Sequence, residues 1–330
     1  MPNIIITNHC NLKCPYCFAD DMMQYSSNDK QFMDADTFNK ILDFCAQGEQ
    51  EHIGIIGGEP TLHPGFMDII ITLQKYCSMY NCEGLIFTNG IKLKPWLPYL
   101  GSNIGVLVNC NAPKYQSKEN YEATLDSLRQ AHKLGYIKTD KLRVGCNIYL
   151  GLDDYSYFWK DIVEPFRVKY IRCSVVSPGG CYMEEWRHQD KKEEYYLALK
   201  PAFMEFVREA KKHDCLLELD CNQIPPCYFT NEEKQEIMEV TLFPPKTFCT
   251  PPVDIDANFK VFSCFGTYDL KKEVKLDDFY NIQEVRHYLT YAKNLPKVQQ
   301  NTGGKCAGCP AHEKYQCQGG CLSFVELKGE

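Results

Sequence analysis

Thr7-Asn8-His9-Cys10-Asn11-Leu12-Lys13-Cys14-Pro15-Tyr16-Cys17-Phe18 is the stretch around which this chain is read. Its three cysteines follow a β-branched run, Ile4-Ile5-Ile6-Thr7, with three and then two residues between them. A loop this tight can aim three thiolates at one point and does not easily supply a fourth. A structural zinc site wants four protein ligands, and a four-iron cluster normally takes four cysteines. Three ligands in one loop therefore point to a cluster with one iron left open for a small molecule. A zinc knuckle, or scattered core cysteines, is the competing reading of the spacing alone.

A second motif narrows the choice. Gly57-Gly58-Glu59-Pro60 closes the next strand-like run, at 52–56. Two glycines let a backbone approach a ligand closely, and the Glu59 carboxylate can accept a charge-assisted hydrogen bond from an ammonium group. With Tyr16 just before the third cysteine, the two motifs together resemble the radical S-adenosylmethionine (SAM) enzymes, over about residues 1–215. The resemblance implies a [4Fe-4S] cluster on Cys10, Cys14 and Cys17, with SAM chelated at its open iron. It implies that Gly57, Gly58, Glu59 and Pro60 hold the amino group of SAM. Reductive cleavage of SAM to a 5′-deoxyadenosyl radical, which takes a hydrogen from substrate, is the chemistry implied. Further SAM contacts implied are Tyr16, Asn89 of Thr88-Asn89-Gly90, and Asn109 of Asn109-Cys110-Asn111-Ala112-Pro113. That last segment aligns with the family's Ser-x-Asp-Gly-Pro, Asn109 standing for the serine and Asn111 for the aspartate. Asn147, Arg172 and Ser174 lie where SAM contacts often fall; satisfied polar groups of the barrel are the equal alternative. His9 reads as a loop residue beside the cluster, not a ligand.

Strand and helix signals alternate up to residue 215. Strands are predicted at 4–7, 52–56, 85–88, 104–109, 142–150 and 170–176, and helices at 34–45, 65–80, 117–134, 155–166 and 190–213. Such alternation calls for a parallel sheet with helices outside. The fold class expected is α/β, a partial (βα)6 TIM-like barrel over 1–215, whose sites form at the C-terminal ends of the strands. Both motifs fall at such ends. After 215, Pro225-Pro226, Pro244-Pro245 and Pro251-Pro252 break regular structure, and a small cysteine-rich domain is expected over 216–330.

Composition bounds the rest. Hydrophobic residues make up 44% of the 330 and charged residues 24%, ordinary for a globular protein. A net charge of −7 does not indicate a nucleic-acid or anionic-membrane surface. No apolar run approaches the roughly 18–20 residues of a membrane span, and no signal peptide fits ahead of Cys10. Nineteen cysteines without an export signal point to cluster or metal ligation in a reducing cytoplasm.

Eight of those cysteines crowd the C-terminal part: Cys221, Cys227, Cys249, Cys264, Cys306, Cys309, Cys317 and Cys321. Cys306-x2-Cys309-x7-Cys317-x3-Cys321 resembles the SPASM/twitch-like auxiliary domain, whose usual third gap is two residues shorter. Cys249-x14-Cys264 resembles the hairpin pair that opens such domains, without the usual turn glycine in 256–264. The resemblance implies one auxiliary iron–sulfur cluster, or two with a ligand from Cys221 or Cys227; a zinc ribbon on the last four cysteines is the alternative. It also implies a peptide or protein substrate, modified by crosslink, epimerisation or oxidation, and an electron donor such as flavodoxin or ferredoxin. Dehydrogenation of a small molecule such as an aminosugar is the second expectation, and a non-enzymatic iron–sulfur electron carrier the third. Relatives that modify peptides often carry a leader-binding domain before the barrel; here the first strand starts at residue 4, so such an element is expected on a separate chain or not at all. Phe265 stands where sulfatase-maturing relatives carry an aspartate base, which argues against that activity.

Overall fold

The computed structural model describes residues 1–17, 19, 31–48, 50–178, 185–186, 188–220, 224–250, 252–267 and 274–325. One mixed sheet of nine strands organises them, in the order β7-β6-β5-β4-β3-β2-β1-β8-β9. The strands are β1 Pro2–Thr7, β2 His52–Gly57, β3 Glu83–Thr88, β4 Ile104–Asn109, β5 Leu142–Ile148, β6 Tyr170–Val175, β7 Leu216–Leu219, β8 Val253–Ile255 and β9 Val261–Phe262. From β7 across to β8 every pairing is parallel; only β8 and β9 form an antiparallel hairpin. The six expected strands are present in a partial barrel; each leads into a helix except β3, which is followed only by the 3-10 turn Leu97–Tyr99.

The division at residue 215 needs correcting. β7 lies beyond it and pairs with β6 as a seventh parallel strand. β8 comes from farther still and pairs with β1, Asn3 opposite Asp254. The signal was weak because β7 has four residues and β8 three, too short for a period-2 pattern to stand out.

The helices cover the sheet for local reasons. α1, Ala35–Ala46, starts at Asp34, whose side chain accepts a hydrogen bond from the Thr37 amide at 2.7 Å, and buries Phe38, Ile41, Leu42 and Cys45. α2 is Phe66–Tyr80, and α3, Lys118–Lys133, is capped by Ser117. The helix expected at 155–166 is wound instead as a π-helical stretch, Phe158–Val163, that runs into Glu164–Phe166. α4, Lys192–Lys212, and α5, Asn231–Val240, follow. Between β8 and β9 the position that lacks a glycine is filled by Phe259 at φ +62. That is a strained value for a bulky residue. Asp256 offsets it by accepting from the amides of Asn258 and Lys260 at 2.8 and 2.9 Å. No described helix is long and apolar enough to cross a membrane.

Candidate active site

Parallel pairing brings the C-terminal ends of β1 to β7 to one rim of the sheet, and the sequence motifs meet there. The cysteine loop leaves β1 directly. Its backbone is clamped to the end of β2: the Gly58 amide donates to the Thr7 carbonyl and the Glu59 amide to the His9 carbonyl, both at 2.8 Å. A Cβ on Gly57 would stand 2.3 Å from the Thr7 carbonyl oxygen, and one on Gly58 2.4 Å from that of His9. The two glycines therefore seat the motif against the cluster loop.

Cys10, Cys14 and Cys17 are partly exposed. Burial, and then the nearby thiols of Cys17 and Cys10, push Cys14 up to about 12. Burial likewise raises Cys10. Sulfurs that oppose one another's ionisation share one patch, and iron bound there would supply the positive charge that favours their thiolates. Among the described residues, no three His, Cys, Asp or Glu side chains are gathered as a single metal ion demands. A four-iron cluster makes a different demand, with each cysteine on an iron of its own. The loop fits such a cluster.

Glu59 is 1% exposed, and the structure gives its carboxylate partners that the sequence did not predict. Oε1 accepts from the Thr61 amide at 3.1 Å and from the hydroxyls of Thr61 and Thr88, each at 2.6 Å; Oε2 accepts from the Asn89 amide at 2.7 Å. Burial pushes this carboxyl up while those four donors pull it down. Glu59 thus knots the ends of β2 and β3 together. Oε1 is saturated, and Oε2 keeps capacity for one further donor.

The remaining predicted SAM contacts line the same rim in small hydrogen-bonded sets. Asn89 donates through Nδ2 to Asn11 of the cluster loop at 2.8 Å. Tyr16 Oη donates to Asn111 Oδ1, and its ring lies 4.4 Å from that of Tyr149. Asn109 accepts from Arg172 at 3.4 Å, and the Arg172 guanidinium is held by Asp220 just past β7. Ser174 donates to Asn147 at 2.5 Å across the β5–β6 pairing. Thr61, Thr88 and Asp220 were not singled out from sequence. Thr88 stood inside a quoted motif, whereas Asp220 was hidden by the misplaced boundary.

The described C-terminal cysteines fall into two groups. Cys306 is buried, and Lys305 beside it donates from Nζ to the Cys227 carbonyl at 3.2 Å. Partial desolvation, then Cys306 and Cys317, raise the exposed Cys227 thiol. Burial, then the Gly319 amide, Cys306 and Cys309, act on Cys317 with a net rise. On the other side, burial of its sulfur and then Cys321 push Cys249 up to about 12, although the residue keeps an exposed edge. A Cβ on Gly266 would lie 3.8 Å from Cys264 Sγ and 3.2 Å from Ser323 Cβ, so the turn after Cys264 packs against the segment after Cys321. Gly319, at φ +80, and Gly320 reverse the chain between Cys317 and Cys321. Cys221 lies outside the described residues.

With this geometry in place, the comparisons are informative. The Radical SAM superfamily model matches residues 4–164. The chain carries a radical SAM superfamily domain. GTP 3',8-cyclase of Clostridium perfringens is 32% identical over 100 residues, 30% of this chain and 30% of that protein. Human molybdenum cofactor biosynthesis protein 1 is 26% identical over 163 residues, 46% of this chain and 24% of its own length. The chain thus aligns with well under two thirds of each of these relatives. Among solved structures, native anSMEcpe with bound AdoMet superposes at a TM-score of 0.65 with 16% identity, covering 99% of this chain and 91% of that one. SuiB of Streptococcus suis bound to S-adenosylmethionine gives 0.57 with 14% identity, covering 87% and 67%. These likenesses show the fold: α/β, with a mostly parallel sheet in a partial barrel. The domain's implied cofactors are a four-iron cluster and SAM, and the cysteine loop of this chain fits the cluster.

Proposed function

We propose that this chain is a radical SAM enzyme that modifies a peptide or protein side chain, with auxiliary iron–sulfur in its C-terminal part. The observation that carries the core of this reading is the joining of the three-cysteine loop to the Glu59 knot at one rim of the sheet. Cys10, Cys14 and Cys17 would hold the cluster. Pro60, the backbone of 57–59 and the free capacity of Glu59 Oε2 would serve the SAM amino group, and Asn89, Asn109 and Arg172 on the same rim would bind the rest of the cofactor. Asp220 keeps the Arg172 fork in one orientation. The cluster and SAM supply the chemistry, reductive cleavage that starts hydrogen abstraction, and the chain supplies binding and orientation. Oxidising a substrate radical also needs an acceptor for its electron, which redox-inert zinc cannot be.

The extent of the likeness supports a peptide substrate. The superposition on anSMEcpe, also solved with AdoMet and a Kp18Cys peptide, covers 99% of this chain, and that on SuiB, also solved with precursor peptide SuiA, covers 86%. The cyclase relatives favour a small-molecule substrate as the second reading, on 32% identity over 100 residues. The test is anaerobic reconstitution, with a low-potential reductant and SAM. Wild type is expected to release 5′-deoxyadenosine, and the Cys10→Ala, Cys14→Ala, Cys17→Ala variant none. Candidate cysteine-, tyrosine- or lysine-bearing peptides encoded beside this chain should change mass in the same mixture. Consumption of GTP in step with 5′-deoxyadenosine, with no peptide altered, would replace the peptide reading by the small-molecule one.

A further inference from the structure

Lys192 opens α4 and is fully buried, at 0% exposure. Its Nζ donates to Asn301 Oδ1 at 2.8 Å, to the Asn301 carbonyl at 3.4 Å and to Cys306 Sγ at 3.4 Å. Asn301 is itself fully buried and held by its Nδ2 bond to the Gln318 carbonyl at 2.8 Å. Among the described residues no carboxylate pairs with this ammonium; the nearby groups able to carry negative charge are the thiols of Cys306, Cys227 and Cys317. A lone buried ammonium is expensive. Its bond to Cys306 Sγ makes that sulfur the place where a compensating negative charge would sit.

Cys306 belongs to a group of four thiols. Cys306 Sγ donates to the Gly319 carbonyl at 3.8 Å, Cys317 Sγ accepts from the Gly319 amide at 3.4 Å, and the Cys309 amide donates to the Cys306 carbonyl at 3.2 Å; Cys227 joins them from the turn Pro226–Tyr228. Cys227 is placed by contacts independent of its sulfur: Lys305 donates to its carbonyl, and its neighbour Tyr228 has its ring centroid 4.7 Å from the Lys305 ammonium and its hydroxyl 3.3 Å from where a Cβ on Gly304 would stand. Cys321 is turned away to Cys249. Building on the auxiliary-cluster reading above, we propose that Cys227, Cys306, Cys309 and Cys317 hold one four-iron cluster, with Lys192 as its internal counter-cation. Four thiolates around a cubane leave a net negative charge that grows on reduction. A buried cation bonded to one ligand sulfur therefore favours the reduced state, hydrogen bonds to the sulfurs being a recognised lever on potential. Lys192 is a positioning residue for charge, not a ligand.

The experiment compares wild type, Cys306→Ala with Cys309→Ala, Cys227→Ala, Lys192→Met and Lys192→Arg, all reconstituted anaerobically, by iron and zinc content, electron paramagnetic resonance and redox titration. Loss of about four irons in the double variant establishes the auxiliary cluster itself. Cys227→Ala, at an exposed position, should then lose the same iron or leave a three-iron cluster with its own resonance signal, while 5′-deoxyadenosine release persists. If the double variant loses four irons and Cys227→Ala loses none, the ligand assignment is wrong and the auxiliary cluster stands. If the double variant loses none, or wild type carries zinc there, the auxiliary-cluster reading itself falls. Lys192→Met should keep its iron but show at least a tenfold lower ratio of reduced to oxidised cluster at fixed potential, about 59 mV for one electron. Lys192→Arg should stay near wild type. An unchanged midpoint in Lys192→Met overturns the counter-cation role. Should Lys192→Met not accumulate as folded protein, Lys192→Gln, which keeps donors without charge, takes its place with the same expected direction.

Discussion

Replacing Glu59 by glutamine separates two roles for one carboxylate. Its oxygens accept four bonds, two of them from backbone amides that cannot rotate, Thr61 and Asn89. Glutamine offers one acceptor oxygen and an NH2 that only donates. With the oxygen towards Asn89, the NH2 meets the Thr61 amide; the two threonine hydroxyls can turn and accept, but the amide cannot. With the oxygen towards Thr61, the NH2 meets the Asn89 amide. In either orientation one buried N–H is left without an acceptor, at a cost of about 1–3 kcal/mol. At roughly 2–4 °C per kcal/mol for domains of 150–250 residues, the melting temperature of Glu59→Gln should fall by several degrees. Burial holds the folded pKa of this carboxyl above its unfolded one. Wild type therefore loses stability as pH rises through that window, and the deficit of the amide should be larger on the acid side. Thermal unfolding at several pH values measures both effects, with SAM affinity measured in parallel. A melting temperature equal to wild type together with lost SAM affinity would refute the reasoning, because it would mean that the carboxylate serves the ligand and not the sheet.

Two further outcomes are expected. Gly58→Ala puts a Cβ 2.4 Å from the His9 carbonyl oxygen, so the cluster loop must move; iron on the first cluster and 5′-deoxyadenosine yield should drop with secondary structure intact, and an unaltered yield would show that the loop does not lean on this contact. Asp254 is fully buried, bonded by Asn3 Nδ2 at 2.7 Å, and burial raises its pKa from 3.8 to about 7. The folded carboxyl keeps its proton longer than the unfolded one, so its contribution is full below pH 3.8 and is lost as pH climbs towards 7, by about 4 kcal/mol at most at 1.36 kcal/mol per pH unit. Asp254→Asn should flatten the melting profile across that interval and be the more stable protein above it; parallel profiles for the two would remove Asp254 as the cause.

Spacing alone carried much of the site. Three cysteines within eight residues can share a patch whatever the rest of the chain does, and a double glycine at a strand end announces a close approach. The six predicted strands and most of the helices were legible because their hydrophobic faces run long enough to show a period. The π-helical turn at Phe158–Val163 was not, since it keeps the composition of an α-helix and differs only in which carbonyl each amide finds.

The local pattern of this sequence determined which residues form the cluster loop, where the parallel strands lie and that an α/β barrel core results, because those follow from spacing and periodicity between near neighbours. Contacts across long sequence separations had to wait for the tertiary structure. It gave Glu59 to Thr88 and Asn89, set β8 against β1 some 250 residues away, paired Arg172 with Asp220, and sent Cys317 and Cys321 to opposite groups. Lys192 is the clearest case. On paper it is one more lysine in a charged helix, and only the packing of α4 against 301–306 strips it of water and leaves a thiol sulfur within bonding distance of its charge.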